Sequence, residues 1–221
     1  GRLVQLRFVA GGDDDARAPV RASDRNADVV GLMELENTPN VEPLQDIVNG
    51  LNALTSPGTY AFIDTGVIDP GDVIKVGIIY KPGVVQPVGD YAILNSLVDP
   101  TFTSINRPAL AQTFREAAGT GRFTIIVNHL KSKGCTGATG LDQDLGDGQS
   151  CFNLTRTQAA NALINWAQTD PTGTGDPDFV ILGDLNSYAR EDPIRALETA
   201  GYTNLEIAFE GPDGYSYVFG S

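Results

Sequence analysis

The chain has 221 residues, 41% of them hydrophobic, so it can bury a substantial core, and no apolar run approaches the roughly eighteen residues of a membrane-spanning helix. Its 15 Lys and Arg stand against 28 Asp and Glu, a formal charge of −13 that repels polyphosphate and argues against a high-affinity, non-catalytic nucleic-acid binding module. The same acidity does not argue against an enzyme that recruits divalent cations to carboxylates and engages only a few phosphates, and it equally fits solubility or a salty habitat. No internal repeat is visible, so residues 1–221 are read as one domain. The sequence starts at Gly1 with no basic-then-apolar leader pattern, and any signal peptide is expected to have been removed or to lie outside it.

In chain order, residues 1–26 are poorly readable: 3–10 have strand composition, but an acidic turn at 11–15 leads to no helix. Val29, Val30, Leu32 and Met33 form an apolar run that predicts a strand covered on both faces and ending at Glu34. Leu44, Ile47, Val48, Leu51 and Leu54 then recur at helical spacing, which predicts an amphipathic helix laid on a sheet. Strands follow at 60–63, 73–80 and 108–114, and another where Phe123, Ile125 and Val127 alternate into Asn128 and His129. Thr155 and Gln158 predict a capping box ahead of a helix carrying Ala159, Leu163 and Trp166. A short strand at 179–182 runs into a sharp turn at Gly183, and Asp192 caps a helix with Pro193 at its first position. Paired strands with interleaved helices predict an α+β fold of two packed sheets flanked by helices.

The fifteen residues between Cys135 and Cys151 are mostly Gly, Asp, Thr, Gln and Ser and have almost no core to hold them. A disulfide there removes about 3 kcal/mol of unfolded-chain entropy and belongs to an oxidising compartment. The alternative is two unpaired small hydrophobes. With one histidine and no third cysteine, zinc is disfavoured. Asp142, Asp144 and Asp147 in this 136–150 loop are either Ca²⁺ ligands or a solvated acidic loop.

Four places carry candidate chemistry. Glu34, at the edge of a buried strand, is either a ligand for a hard cation such as Mg²⁺ or a solvated strand end. His129, the only histidine, is either a structural residue or, since Lys131 and Lys133 follow with positive charge, a contact to a phosphate or its leaving group. Asp184 and Asn186, two apart after a strand, can orient a water or simply form an Asx turn. Arg107 offers a planar fork of donors to a phosphate, or to a surface ion pair.

Together the segments DVVGLMELEN (28–37), IKVGIIYKP (74–82), RPALAQTF (107–114), VNHLKSKGC (127–135) and ILGDLNSYAREDPI (181–194) resemble the endonuclease/exonuclease/phosphatase superfamily, and within it the bacterial extracellular nucleases. The resemblance implies a four-layer αββα, DNase I-like sandwich and hydrolysis of phosphodiesters in DNA or RNA with Mg²⁺ or Mn²⁺. It implies a metal-binding role for Glu34, phosphate binding by Arg107, contact with the scissile phosphate or protonation of the leaving oxygen by His129, and positioning of water by Asp184 with Asn186. It also admits a phosphatase or a sphingomyelinase-like hydrolase of a small or lipid phosphoester, or a catalytically incompetent remnant. Secretion from a bacterium is expected, and no protein partner is implied. Two departures stand out: no Asn follows a credible strand in residues 1–26, and no Asp-His pair follows the strand expected at 215–219. The fold is therefore expected to be incomplete, truncated at both ends, and the 221-residue chain alone to show little activity.

Overall fold

The computed structural model describes residues 27–38, 41–69, 71–103 and 105–211. The strands expected at 3–10 and 215–219 lie outside the described residues. Strand β1 (Val29–Glu36) leads to helix α1 (Glu42–Leu54) and strands β2 (Ala61–Phe62) and β3 (Ile74–Tyr80). Strands β4 (Val85–Leu94), β5 (Ala109–Glu116) and β6 (Arg122–His129) follow, then helix α2 (Asn153–Ala167), strand β7 (Phe179–Asp184), and helices α3 (Asp192–Thr199) and α4 (Leu205–Glu210). One sheet has the order β1-β3-β2 and is antiparallel; the other, β4-β5-β6-β7, is antiparallel except for the parallel pair β6 and β7.

Alternation along the strands sorts the core into layers. Val76 and Ile78 of β3 enter the space between the sheets, where they meet Leu110 and Phe114 of β5, Ile125 and Val127 of β6, and Leu182 of β7. Ile79, their neighbour on the opposite face, packs with Leu44, Val48 and Leu51 of α1. On the far side of the second sheet Ala109, Ala111 and Ile126 lie under Ala159, Leu163 and Trp166 of α2. The result is the expected α+β, αββα sandwich, and each fully buried aliphatic side chain stabilises it by about 1.5–3 kcal/mol. Close approach of the sheets depends on Gly31 in β1, where any Cβ would overlap Leu182 and Val127.

Several elements differ from expectation. Strand β1 does not stop at Glu34 but continues to Glu36, because Leu35 returns to the core. The register slips between Leu32 and Leu35, which pair with Gly77 and Lys75, so Met33 and Glu34 together oppose Val76 in a β-bulge. Strand β4 has no clear sequence signature: it is an exposed edge strand containing Pro87, Gly89 and Asp90, with an irregular register between Val88 and Ala92. Thr155 and Gln158 do not form a capping box. Helix α2 begins two residues earlier, and the Thr155 N–H and hydroxyl donate to Asp142 Oδ1 and Oδ2 at 3.0 and 2.6 Å. Asp192 is the first residue inside α3, and Glu191 holds the cap position. Cys135 and Cys151 are joined by a disulfide, with Cα atoms 5.1 Å apart.

Candidate active site

Strands β6 and β7 run parallel with His129 opposite Asp184, so both strands deliver a polar residue to the same end of the sheet. Gly183 is not in a turn but inside β7, with φ +123°, and any side chain there would collide with the Asn128 backbone. That contact brings the two strand ends together. The bulge in β1 aims Glu34 at the same place, with φ 58°, and Asn186 takes φ 47° just beyond β7. Left-handed backbone is costly for residues other than Gly and recurs at functional sites, Asn tolerating it best.

His129 Nε2 is the meeting point. It lies 3.9 Å from Glu34 Oε1, 4.0 Å from Asp184 Oδ2 and 3.4 Å from Arg107 Nη1. Arg107 is held by charge to Asp72, with Nε 3.2 Å from Oδ2. A guanidinium only donates, so the neutral imidazole turns a lone pair at Nε2 toward Arg107 and carries its proton on Nδ1. That Nδ1 is buried without a hydrogen-bond partner, as are Arg107 Nε and Asp72 Oδ2. Burial holds the His129 pKa below its ordinary value and Arg107 pushes it down further, against the opposing pull of Asp184, Glu34 and Asp72.

The Asp184 and Asn186 pair forms the Asx turn and still leaves one carboxylate oxygen free. Asp184 Oδ1 accepts from the Asn186 N–H at 2.9 Å, an Asx turn, which leaves Oδ2 facing the histidine. Asn186 Nδ2 donates to the Leu130 carbonyl oxygen at 2.9 Å, leaving one N–H and Oδ1 for other partners. The structure thus gathers Glu34, Arg107, His129 and Asp184 directly, with Asn186 bracing Asp184 and the Leu130 carbonyl that follows His129. In the 136–150 loop Asp142 caps α2, Asp144 accepts from the Gly146 N–H and Asp147 from the Gln149 N–H, each at its own turn.

Three residues of this region escape a reading of the sequence alone. Asp72 pairs with Arg107 across the fold, and the only hint of it is that a partly buried arginine favours a counter-charge. Asn106, 1% exposed, accepts from the Lys131 N–H at 3.0 Å. Arg156, fully buried in α2, donates to the carbonyls of Lys131, Gln149 and Cys151 at 3.3, 3.0 and 2.8 Å. Its helical position gives no sign of that role.

Among the described residues there is no group of three or more His, Cys, Asp or Glu side chains arranged to hold a metal. Mg²⁺ needs no such cage: it keeps several waters and takes one or two carboxylates with substrate phosphate. Glu34, about half exposed and paired with no Lys or Arg among the described residues, has the chemistry of such a ligand.

No protein-family model matches the sequence, and no curated protein does. Solved structures match it. The catalytic domain of human Nocturnin with a bound sulfate anion is 16% identical, with TM-score 0.55 over 87% of this chain and 65% of that one. An endonuclease/exonuclease/phosphatase from Bacteroides vulgatus is 17% identical, TM-score 0.52, covering 80% and 59%. A mannosyl-6-phosphatase from Bacteroides thetaiotaomicron is 16% identical, TM-score 0.53, covering 81% and 58%. The fold is DNase I-like. At these identities the likeness is one of fold, and the chain spans 58% to 65% of the length of these three structures. In the DNase I-like layering here, the His129, Asp184 and Glu34 cluster sits at one end of both sheets.

Proposed function

We propose that the protein is a metal-dependent phosphoester hydrolase and, within that class, a secreted nuclease that cleaves DNA or RNA with Mg²⁺ or Mn²⁺. The observation that carries this reading is the convergence of Glu34, Arg107 and Asp184 on His129 Nε2, all within 4.0 Å. A phosphoryl group is recognised by a donor fork, an imidazole and a carboxylate that can carry a metal, and Arg107, His129 and Glu34 have those chemistries.

Arg107, anchored by Asp72, binds the phosphoryl oxygens through its free donors. A phosphate drawn between Arg107 and His129 displaces the guanidinium from Nε2 and favours the imidazolium. His129 then donates to a phosphoryl or leaving oxygen. Asp184 Oδ2 orients the attacking water, and Asn186 fixes that carboxylate through its backbone N–H. Glu34 would hold the divalent ion, which when bound supplies charge neutralisation at the phosphoryl oxygens. The disulfide supports an oxidising, extracellular setting.

A phosphatase reading is favoured by one observation, the similarity to a mannosyl-6-phosphatase. The test is a plasmid-nicking assay with Mg²⁺, run beside p-nitrophenyl phosphate hydrolysis, on the natural full-length protein and on the 221-residue chain. Metal-dependent nicking that is lost in His129→Ala and in EDTA supports the nuclease. Hydrolysis of the monoester alone supports the phosphatase, and neither activity in the full-length protein overturns the hydrolase.

A further inference from the structure

Lys131 and Lys133 read in the sequence as one basic cluster after His129, but the structure gives them different partners. Lys133 Nζ is paired with the buried Glu191 carboxylate and stands 3.8 Å over the Tyr188 ring, so its charge is already neutralised. Lys131 is held by its backbone instead. Its N–H donates to Asn106 Oδ1 at 3.0 Å and its carbonyl oxygen accepts from Arg156 Nη1 at 3.3 Å, and both side chains are buried to within 1%. The Lys131 ammonium lies 4.7 Å over the Phe152 ring and meets no carboxylate among the described residues. An aromatic face stabilises a cation without cancelling its charge.

The segment carrying Lys131 also lies beside the one carrying Arg107. Arg107 follows Asn106, and its N–H donates to the His129 carbonyl oxygen at 3.3 Å. Arg107 and Lys131 thus flank His129 on two adjoining, cross-braced segments. In a protein of charge −13, an unneutralised cation carried on a braced segment two residues past His129 has a strong local effect on anions.

We propose that Lys131 binds the phosphate next to the scissile one, making this a site for a polymeric phosphodiester rather than a single phosphoryl group; this rests on the hydrolase reading above. The test is binding of a short, fluorescein-labelled, phosphorothioate-linked single-stranded oligonucleotide to the natural full-length protein in MgCl₂, followed by anisotropy over a salt series. Loss of one phosphate contact lowers the slope of log K against log salt by about 0.7 and weakens all sequences alike. Lys131→Gln is expected to do this and Lys131→Arg to restore the slope. Arg122→Gln, at the far end of β6, removes the same charge and is expected to leave the slope unchanged. An unchanged slope in folded Lys131→Gln, or an equal drop in Arg122→Gln, overturns the assignment alone. No binding by the unsubstituted protein even at low salt overturns the polymer reading itself.

Discussion

Arg107 meets His129 twice: its backbone N–H donates to the histidine carbonyl oxygen at 3.3 Å, and its Nη1 stands 3.4 Å from the imidazole Nε2. The second contact, added to burial, disfavours the imidazolium in the folded protein. The unfolded chain therefore takes up a proton as pH falls through about 6.5, while the folded protein resists until its lower pKa is reached. His129 costs no pH-dependent stability above the unfolded value, and the loss accumulates below it. Urea unfolding in EDTA at descending pH should show a fall in midpoint that is shallower in His129→Gln. Equal slopes in the two proteins would mean that the histidine titrates alike in both states.

Gly183→Ala should damage both the fold and the site. The added Cβ would meet the Asn128 backbone, which cannot swing aside as a side chain can, and φ +123° is strained for any L residue. The expected cost is on the order of 3 kcal/mol, with loss of hydrolysis as His129 and Asp184 move apart. Gly50→Ala is the contrasting case. It lies inside α1 with nothing within 4 Å of its would-be Cβ, and should stabilise by up to about 1 kcal/mol. Thermal melts of the two variants moving in the same direction would contradict the packing described.

Reducing the disulfide should loosen the site as well as the loop. Cys151 is buried, its carbonyl accepts from Arg156, and the same guanidinium holds the Lys131 carbonyl. The Cys135→Ser, Cys151→Ser double variant should lose about 3 kcal/mol from the closed loop. Arg156→Met should cost about 3 kcal/mol, since it strips three carbonyls, the Cys151 one in a fully buried bond, of a charged donor. Hydrogen exchange should show lost protection at residues 130–135 in both variants, and protection unchanged there would disconnect the loop from the site.

Most of the sandwich can be read from the sequence because its strands are buried and apolar, as in Val76 and Ile78 or Ile125 and Val127. Strand β4 cannot, because an edge strand facing water needs no apolar face and tolerates Pro87. Glu34, Arg107, His129 and Asp184 can each be picked out by type and position beside a strand end. What holds them is less visible. The bulge at Met33 and Glu34 exists only as a register against β3, and Asp72, Asn106 and Arg156 reach Arg107 and Lys131 across 25 to 35 residues of chain, where spacing carries no signal. Asp142 shows the same limit, since Thr155 looks like a cap until the fold brings a better acceptor to it.

Glu34 combines a backbone cost with its proposed chemistry, and two substitutions separate them. Glu34→Gln keeps the size and the left-handed backbone but removes the charge, so Mg²⁺ affinity and turnover should both fall while stability in EDTA stays close to that of the parent. Glu34→Gly removes the carboxylate and also relieves a left-handed conformation that costs an L residue about 1–2 kcal/mol. Glycine gives back about 0.5–1 kcal/mol through its greater freedom in the unfolded chain. The metal-free Glu34→Gly protein should therefore be as stable as the parent, or more stable by up to about 1.5 kcal/mol, yet inactive. Calorimetric titration with MgCl₂ and thermal melts in EDTA read the two effects independently. Undiminished Mg²⁺ binding by both variants would remove Glu34 from the metal site, and a clear loss of stability in Glu34→Gly would show that its side chain holds the bulge in place.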